Sequence, residues 1–591
     1  MKISRIFSTA IILVLFGTMG ACCSKNNSGS GKTTVPVNTV TSVRISTDKA
    51  MYPPGNTVEF STDTMPANAY VRYYHLGTVI SEEKPASASW SWTPPAAGNK
   101  GYMAEIFSKN DDGTETVLGA IGIDVSQDWT KFPRYGFLSD FGDISSSDMQ
   151  YTISDLNRHH INGIQFYDWQ YEHHRPLAGT VNDPNAYWKD IANRNTSMAT
   201  IKGYIALLHA RNMNAMFYDL CYGALSDAAS DGVEDSWYLY KDKNHRTKDC
   251  LELASPMFKS SIYITDPSNT EWQNYLSGKI NDVYSVYDFD GYHIDQLGSR
   301  GTLYDYDGNQ ADLPSGFYSF IKAMKTARPD KSLVMNAVNR YGTSRIAETG
   351  NVDFLYNEVW ADDSQYSDIK DIIDKNEVYG NGKLRTVMAA YMNYDKAENK
   401  GYFNTPGVIL ADAVIFALGG SHLELGEHML GKEYFPNDNL KMDGVLQKAM
   451  LNYYDFITAY ENLLRDGGPF NSVDIDCING KMSLAAWPPS SGNVTVLAKS
   501  MADGTQIIHL INLSKADSFS WRDLNGTMPE PALIKEASVM LKTTRAVKSI
   551  WIASPDIDYG VRKTVDFKQN GNGITFTVPS LKYWDMIVIE Y

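Results

Sequence analysis

FDGYHIDQ, residues 289–296, holds a short apolar run from Gly291 that ends on one carboxylate, Asp295, with the polar Gln296 behind it. A run of this length and composition reads as a buried strand, and it is one of a series. YGFLSD (135–140), GIQFYDW (163–169), NAMFYDL (214–220), LVMNAV (333–338), VDFLYNEVW (352–360), RTVMAAY (385–391) and SHLELG (421–426) have the same character. Helical text separates most of them, such as SMATIKGYIALLHARN before the third and NTEWQNYLSGKINDVYSVY before the fourth. Eight βα repeats predict a (β/α)8 TIM barrel, whose active-site groups stand at the carboxyl ends of the strands. Asp295 is at such an end.

Outward from the barrel, assigned to 127–479, the text turns to β on both sides. Residues 41–126 carry short alternating runs (SVRISTD, TVEFSTD, YVRYYHL, ASWSWT, GYMAEIF) between Pro/Gly/Asn turns, and predict a small immunoglobulin-like β-sandwich. After helical text at about 443–464, VTVLAKSM, TQIIHLINL, GITFTVPSL and WDMIVIEY predict a C-terminal antiparallel β-sandwich over 480–591. The expectation is thus a multidomain chain with a central barrel flanked by two sandwiches.

The first 21 residues have a basic start (Lys2, Arg5) and a short apolar core, and end in small residues before Cys22, as an export signal does. Their GAC ending resembles a bacterial lipobox, which implies cleavage before Cys22, lipid on that cysteine, and the outer membrane of a Gram-negative cell as destination. Residues 22–40, rich in Ser, Asn, Gly and Thr, suit a flexible tether. Losing Lys2 and Arg5 with the signal takes the formal charge from −16 to −18. Such acidity argues against nucleic acid or an anionic membrane surface as partner, leaving the lipid anchor as the expected membrane contact. A monomer is expected. The five scattered cysteines suggest neither a metal site nor a disulfide framework, although Cys221 and Cys250 could pair if the fold joined them.

The polar groups at the strand ends are Asp140, Asp168, Asp219, Asp295, Asn336, Glu358 and Glu424. No Ser/His/Asp order, phosphate-cradling loop or zinc-spaced histidine pair accompanies them. EHHRP (172–176) reads as hydrogen-bonding text, and neither a metal nor a cofactor is assigned. Clustered acids among 37 Tyr, 22 Phe and 12 Trp suit the cleavage of glycosidic bonds, where negative charge stabilises an oxocarbenium-like transition state. One acid must be neutral to protonate the leaving oxygen, and another ionised. Glu358, between Tyr356 and Trp360, has the more apolar setting, whereas Asp295 has polar company in His293 and Gln296. Any one of these acids could instead cap a helix or a loop, so the reading rests on the set.

FYDWQYEHHRPL (166–177), GYHIDQLG (291–298), YNEVW (356–360) and FALGGSHLELGEHMLGKEYFPNDNLKM (416–442) resemble glycoside hydrolase family 66, the dextranases and cycloisomaltooligosaccharide glucanotransferases. The resemblance implies a retaining mechanism on α-1,6-glucan with Asp295 as nucleophile and Glu358 as acid/base. It also implies that Asp168, Trp169, Tyr171, Asp219 and Glu424 line the donor subsites, and Asp140, His173, His293 and Trp360 are assigned to substrate binding beside them. The cyclising members carry a carbohydrate-binding insertion in the barrel, whereas here only MNYDKAENKGYFNTPG follows strand seven, which favours an endo-dextranase with minor transglycosylation. A cyclodextran-forming transferase and a non-catalytic surface glycan-binding lipoprotein are the competing readings. GYHID also resembles the α-amylase strand-four segment, but LVMNAVNR lacks the strand-five acid of that family.

Overall fold

The computed structural model describes residues 42–591. The expected signal peptide, Cys22 and the tether lie outside the described residues. Among the described residues, no helix is long and apolar enough to cross a membrane.

All eight expected strands form, and they lie side by side in one parallel sheet in chain order. They are β1 (Tyr135–Leu138), β2 (Gly163–Phe166), β3 (Asn214–Leu220), β4 (Gly291–Asp295), β5 (Ser332–Val338), β6 (Leu355–Glu358), β7 (Thr386–Ala389) and β8 (Ser421–His422). Each is followed by a helix: α1 (Ser146–Arg158), α2 (Met198–His209), α3 (Thr270–Val286), α4 (Leu313–Ala327), α5 (Thr343–Glu348), α6 (Tyr366–Tyr379), α7 (Thr405–Ala417) and α8 (Gly444–Ala459). The sheet is a nearly closed barrel. Just past the end of β8, the Leu425 carbonyl accepts from the Phe137 amide of β1 at 3.1 Å, and Glu427 Oε1 accepts from the Ser139 and Asp140 amides at 2.6 and 2.8 Å.

Alternation along the strands sorts the side chains into two sets. Tyr135, Phe137, Met216, Val334, Phe354, Tyr356, Val387, Ala389 and Leu423 belong to one apolar cluster that fills the barrel interior. The residues between them, such as Ile164, Phe166, Phe217, Tyr292 and Leu355, join the larger cluster shared with the helices. Asn269, Asp312 and Asp443 cap α3, α4 and α8 by accepting amide hydrogens of the first turn.

N-terminal to the barrel lie two antiparallel sheets, one on Ile45–Thr47, Val58–Thr62 and Ser89–Trp92, the other on Thr78–Glu83, Ala69–His75, Lys100–Lys109 and Glu115–Val125. Trp90 and Trp92 of the WSW segment stack on Phe60 and Tyr73 at 4.9 and 4.2 Å, so they serve packing. α8 approaches the second sheet so closely that a Cβ at Gly101 or Gly122 would lie 2.2 or 2.5 Å from the carbonyl oxygens of Thr458 and Asp455. Buried Arg134 joins the same junction, paired with Asp124 at 2.5 Å and Glu461 at 3.2 Å.

C-terminal to the barrel are a four-stranded antiparallel sheet and a larger sheet, with their own apolar cluster. Their first strand, Phe470–Asn471, lies ahead of residue 480. The larger sheet departs from the antiparallel expectation at one point, where Leu484–Ala486 runs parallel to Val494–Ser500. Cys221, Cys250 and Cys477 are free thiols.

Candidate active site

β4, β5 and β6 are neighbours, with Ile294 opposite Met335 and Asn336 opposite Tyr356. That register brings the inward-facing ends Asp295, Asn336 and Glu358 together at the carboxyl end of the barrel. A single nitrogen, Asn336 Nδ2, donates to Asp295 Oδ1 at 2.8 Å and to Glu358 Oε2 at 3.0 Å. The remaining carboxylate oxygens are held by phenols: Tyr218 of β3 donates to Asp295 Oδ2 at 2.9 Å, and Tyr391, just beyond β7, to Glu358 Oε1 at 2.8 Å. Four groups on adjacent strands and one just past the next strand thus form one bonded chain across the mouth.

Burial drives the electrostatics. It raises the Glu358 carboxyl to about 7, reinforced by the charge of Asp295 and opposed by the hydrogen bonds from Asn336 and Tyr391. Burial also raises Asp295, which the sequence expectation of an ionised group in polar company did not foresee. Asn336, the Gln296 amide and Tyr218 stabilise its charged form and oppose that rise. The pair therefore has one carboxyl poised near neutrality beside another supported by three donors, as proton donation next to a nucleophile requires.

Other expected site residues divide by the direction they face. Asp168 follows β2 in a left-handed conformation (φ 50°), and its buried carboxyl is raised to about 6, with Asp295 among the charges acting on it. It joins the mouth. Trp360 is half-buried there, its ring 5.7 Å from that of Tyr391. His293 lies below Asp295 on the barrel floor, with Nδ1 3.2 Å from the Tyr135 hydroxyl, and burial lowers it to about 3, so it is neutral. His173, from the loop after β2, is lowered to about 4 by burial; its Nδ1 is 2.7 Å from Asp219 Oδ1, while its Nε2 has no partner. Tyr171 lies on the rim with the Lys259 ammonium 3.7 Å over its ring.

The structure places the four remaining expected substrate residues as follows. Asp219 alternates with the inward Tyr218, so it faces away from the barrel interior and holds His173 in place. Trp169 is fully buried, donates to the Tyr218 carbonyl at 3.1 Å and packs against Phe217, Tyr287 and Phe289. Glu424 is 1% exposed and faces the helices, accepting from the Tyr454 hydroxyl of α8 at 3.1 Å beside His422 and Asp412. Asp140 is exposed at a turn, accepting from the Gly142 amide at 3.0 Å. The EHHRP loop is hydrogen-bonded as expected, with His174 Nε2 3.0 Å from Asp231 and the Leu225 amide donating to its Nδ1 at 3.4 Å.

Tyr218 and Tyr391 were not among the expected site residues, and Asn336 was counted at a strand end without a role. Period-two alternation carried the signal, since each lies in phase with an inward neighbour.

The chain has relatives among known proteins. The family model for glycosyl hydrolase family 66 matches residues 47–588. A cycloisomaltooligosaccharide glucanotransferase of Niallia circulans is 28% identical over 93% of this chain and 72% of its own length. A dextranase of Streptococcus salivarius is 24% identical over 83% of this chain and 68% of its own. Among solved structures, a cycloisomaltooligosaccharide glucanotransferase of Paenibacillus sp. complexed with cycloisomaltoheptaose superimposes with a TM-score of 0.84 at 25% identity, covering 93% of this chain and 99% of that one. The chain belongs to glycosyl hydrolase family 66.

Proposed function

We propose that the protein is a retaining, endo-acting glycoside hydrolase that cleaves the α-1,6-glucosidic bonds of dextran to isomaltooligosaccharides. The observation that carries this reading is the Asn336 bridge. Two oxygens that share one donor nitrogen at 2.8 and 3.0 Å lie within about 6 Å of each other, and so close an approach supports the short separation of a retaining pair. Dextran enters through the relatives, one of which is a dextranase.

In the first step Asp295 attacks the anomeric carbon as Glu358 gives its proton to the glycosidic oxygen. The C1–O bond breaks, the shortened chain leaves with a free hydroxyl, and a glycosyl ester forms on Asp295. Esterification removes the Asp295 charge, one of the causes that raise Glu358, and the Glu358 pKa falls as it turns from acid to base. In the second step the Glu358 carboxylate takes a proton from water, whose oxygen attacks C1 and releases the ester. A sugar hydroxyl can replace that water, which gives minor transglycosylation, and the transferase relatives support this branch. We also read the chain as an outer-membrane lipoprotein anchored at Cys22 and acting as a monomer.

The test is digestion of dextran, with starch and a β-glucan alongside, followed by reducing-end assay, chromatography and proton NMR. Isomaltooligosaccharides from dextran alone, released first as the α-anomer, are expected. Initial β-anomer would overturn double displacement, and binding without cleavage would turn the reading to a glycan-binding protein. Predominantly cyclic products would make the protein a transferase.

A further inference from the structure

The loop around 519–528 leaves the C-terminal sheets and is bolted to the barrel mouth between the β6 and β7 loops. Trp521, fully buried, donates its amide to the Ser364 carbonyl at 3.0 Å and its Nε1 to the Asp363 carbonyl at 2.6 Å. On the other side, the Asn393 amide donates to the Arg522 carbonyl at 2.9 Å, and Asn393 Nδ2 to the Asp523 carbonyl at 2.7 Å. Asn404 Nδ2 fixes Asp523 Oδ2 at 2.7 Å and the Met528 carbonyl at 2.9 Å.

Between these anchors Arg522 is held 4% exposed, its guanidinium carbon 5.0 Å from the Tyr394 ring centroid and 5.8 Å from that of Trp360. Trp360 in turn touches Tyr391, which bonds Glu358. Arg522 Nε is buried without a partner, and among the described residues no carboxylate pairs with this cation. An arginine this deep is ordinarily matched by an acid or by carbonyls, as Arg134 is here. A planar guanidinium lying against rings keeps its N–H fork free at the edge, and that fork fits vicinal hydroxyl oxygens.

We propose that Arg522 binds the hydroxyls of the sugar on the acceptor side of the scissile bond, so that the C-terminal region supplies part of the acceptor subsite. The side follows from the pair: Glu358 protonates the leaving oxygen, and the ring path to Arg522 starts at Glu358 rather than at Asp295. The inference rests on the glycosidase reading above. It assigns the same cation to both fates of the glycosyl ester, because the leaving sugar and an incoming acceptor occupy one place.

The experiment compares Arg522→Met and Arg522→Lys with wild type on dextran and on p-nitrophenyl α-isomaltoside, whose leaving group has no sugar hydroxyls. The partition between hydrolysis and transfer to added isomaltose is measured with both substrates. Arg522→Met is expected to lower kcat/KM on dextran about tenfold more than on the aryl substrate, and the transfer-to-hydrolysis ratio by about tenfold, the scale of losing a charge-assisted hydrogen bond. Arg522→Lys, which keeps the charge and loses the fork, is expected to fall between. Equal loss on both substrates with an unaltered partition, in folded variants of both kinds, would reduce Arg522 to packing and overturn the inference. Wild-type enzyme inert on both substrates would overturn the glycosidase reading and this inference with it, whereas active wild type with an unmoved partition overturns the inference alone.

Discussion

Two pairs of buried acids stand at the wall of this one barrel, and they have opposite surroundings. Asp295 and Glu358 face inward, share an amide nitrogen and reach the open mouth. Asp412 and Glu424 lie behind the barrel wall around His422, whose Nδ1 is 2.8 and 3.3 Å from them and whose Nε2 is 2.8 Å from the Ala390 carbonyl. Burial pushes both of the latter acids far above the usual carboxylate range. Residue type and burial are therefore insufficient to mark a catalytic acid. The phase of the strand decides which carboxylates face the barrel mouth and which face the helices.

The sharpest test of that contrast is Asp295→Asn, expected to cost at least about 10⁴ in kcat on dextran, since Asp295 is the group that carries the ester in the proposed mechanism. Glu358→Gln should lose roughly 10²- to 10⁴-fold, and less on a substrate with an acidic phenol as leaving group, which needs little protonation. In the wild type, kcat/KM should decline as pH rises through about 7, because Glu358 acts in its protonated form. Asn336→Ala should cost on the order of 10²-fold and move the whole pH profile upward, because its amide stabilises the charged form of both acids. A profile displaced downward would contradict the bridge.

On the sealed cluster the sign reverses from activity to stability. Glu424→Gln should leave the KM on dextran near the wild-type value and change the pH dependence of unfolding. Because the folded state raises this carboxyl, the native protein holds its proton more tightly than the unfolded chain does. Its contribution is fully present below pH 4.5, the unfolded value, and is lost as pH rises toward the folded pKa. Thermal melts should show a flatter slope in the variant; a large rise in KM instead would put Glu424 back at the substrate.

The eight strands were legible because each is an apolar run with helical text after it, and Asp295 and Glu358 because they end two of those runs. A strand end names a height on the barrel but not a face, and the structure turns Glu424 toward the helices. Tyr218 and Tyr391 escaped because a tyrosine in an apolar run reads as core, and only neighbours on adjacent strands reveal that its hydroxyl grips a carboxylate. Arg522 had no local signal at all, since its place depends on how a distant loop docks.

The docking of that loop also orders events in time. The residues that brace the mouth between Asp363 and Asn393 are synthesised well after the eight barrel strands. A growing polypeptide can close its barrel strands and bring Asp295 beside Glu358 while the segment carrying Trp521 and Arg522 is still being made. The cleft is therefore completed only after the barrel strands have been made, and a chain cut short after α8 would carry its two acids in a mouth that lacks the wall of Trp521 and Arg522.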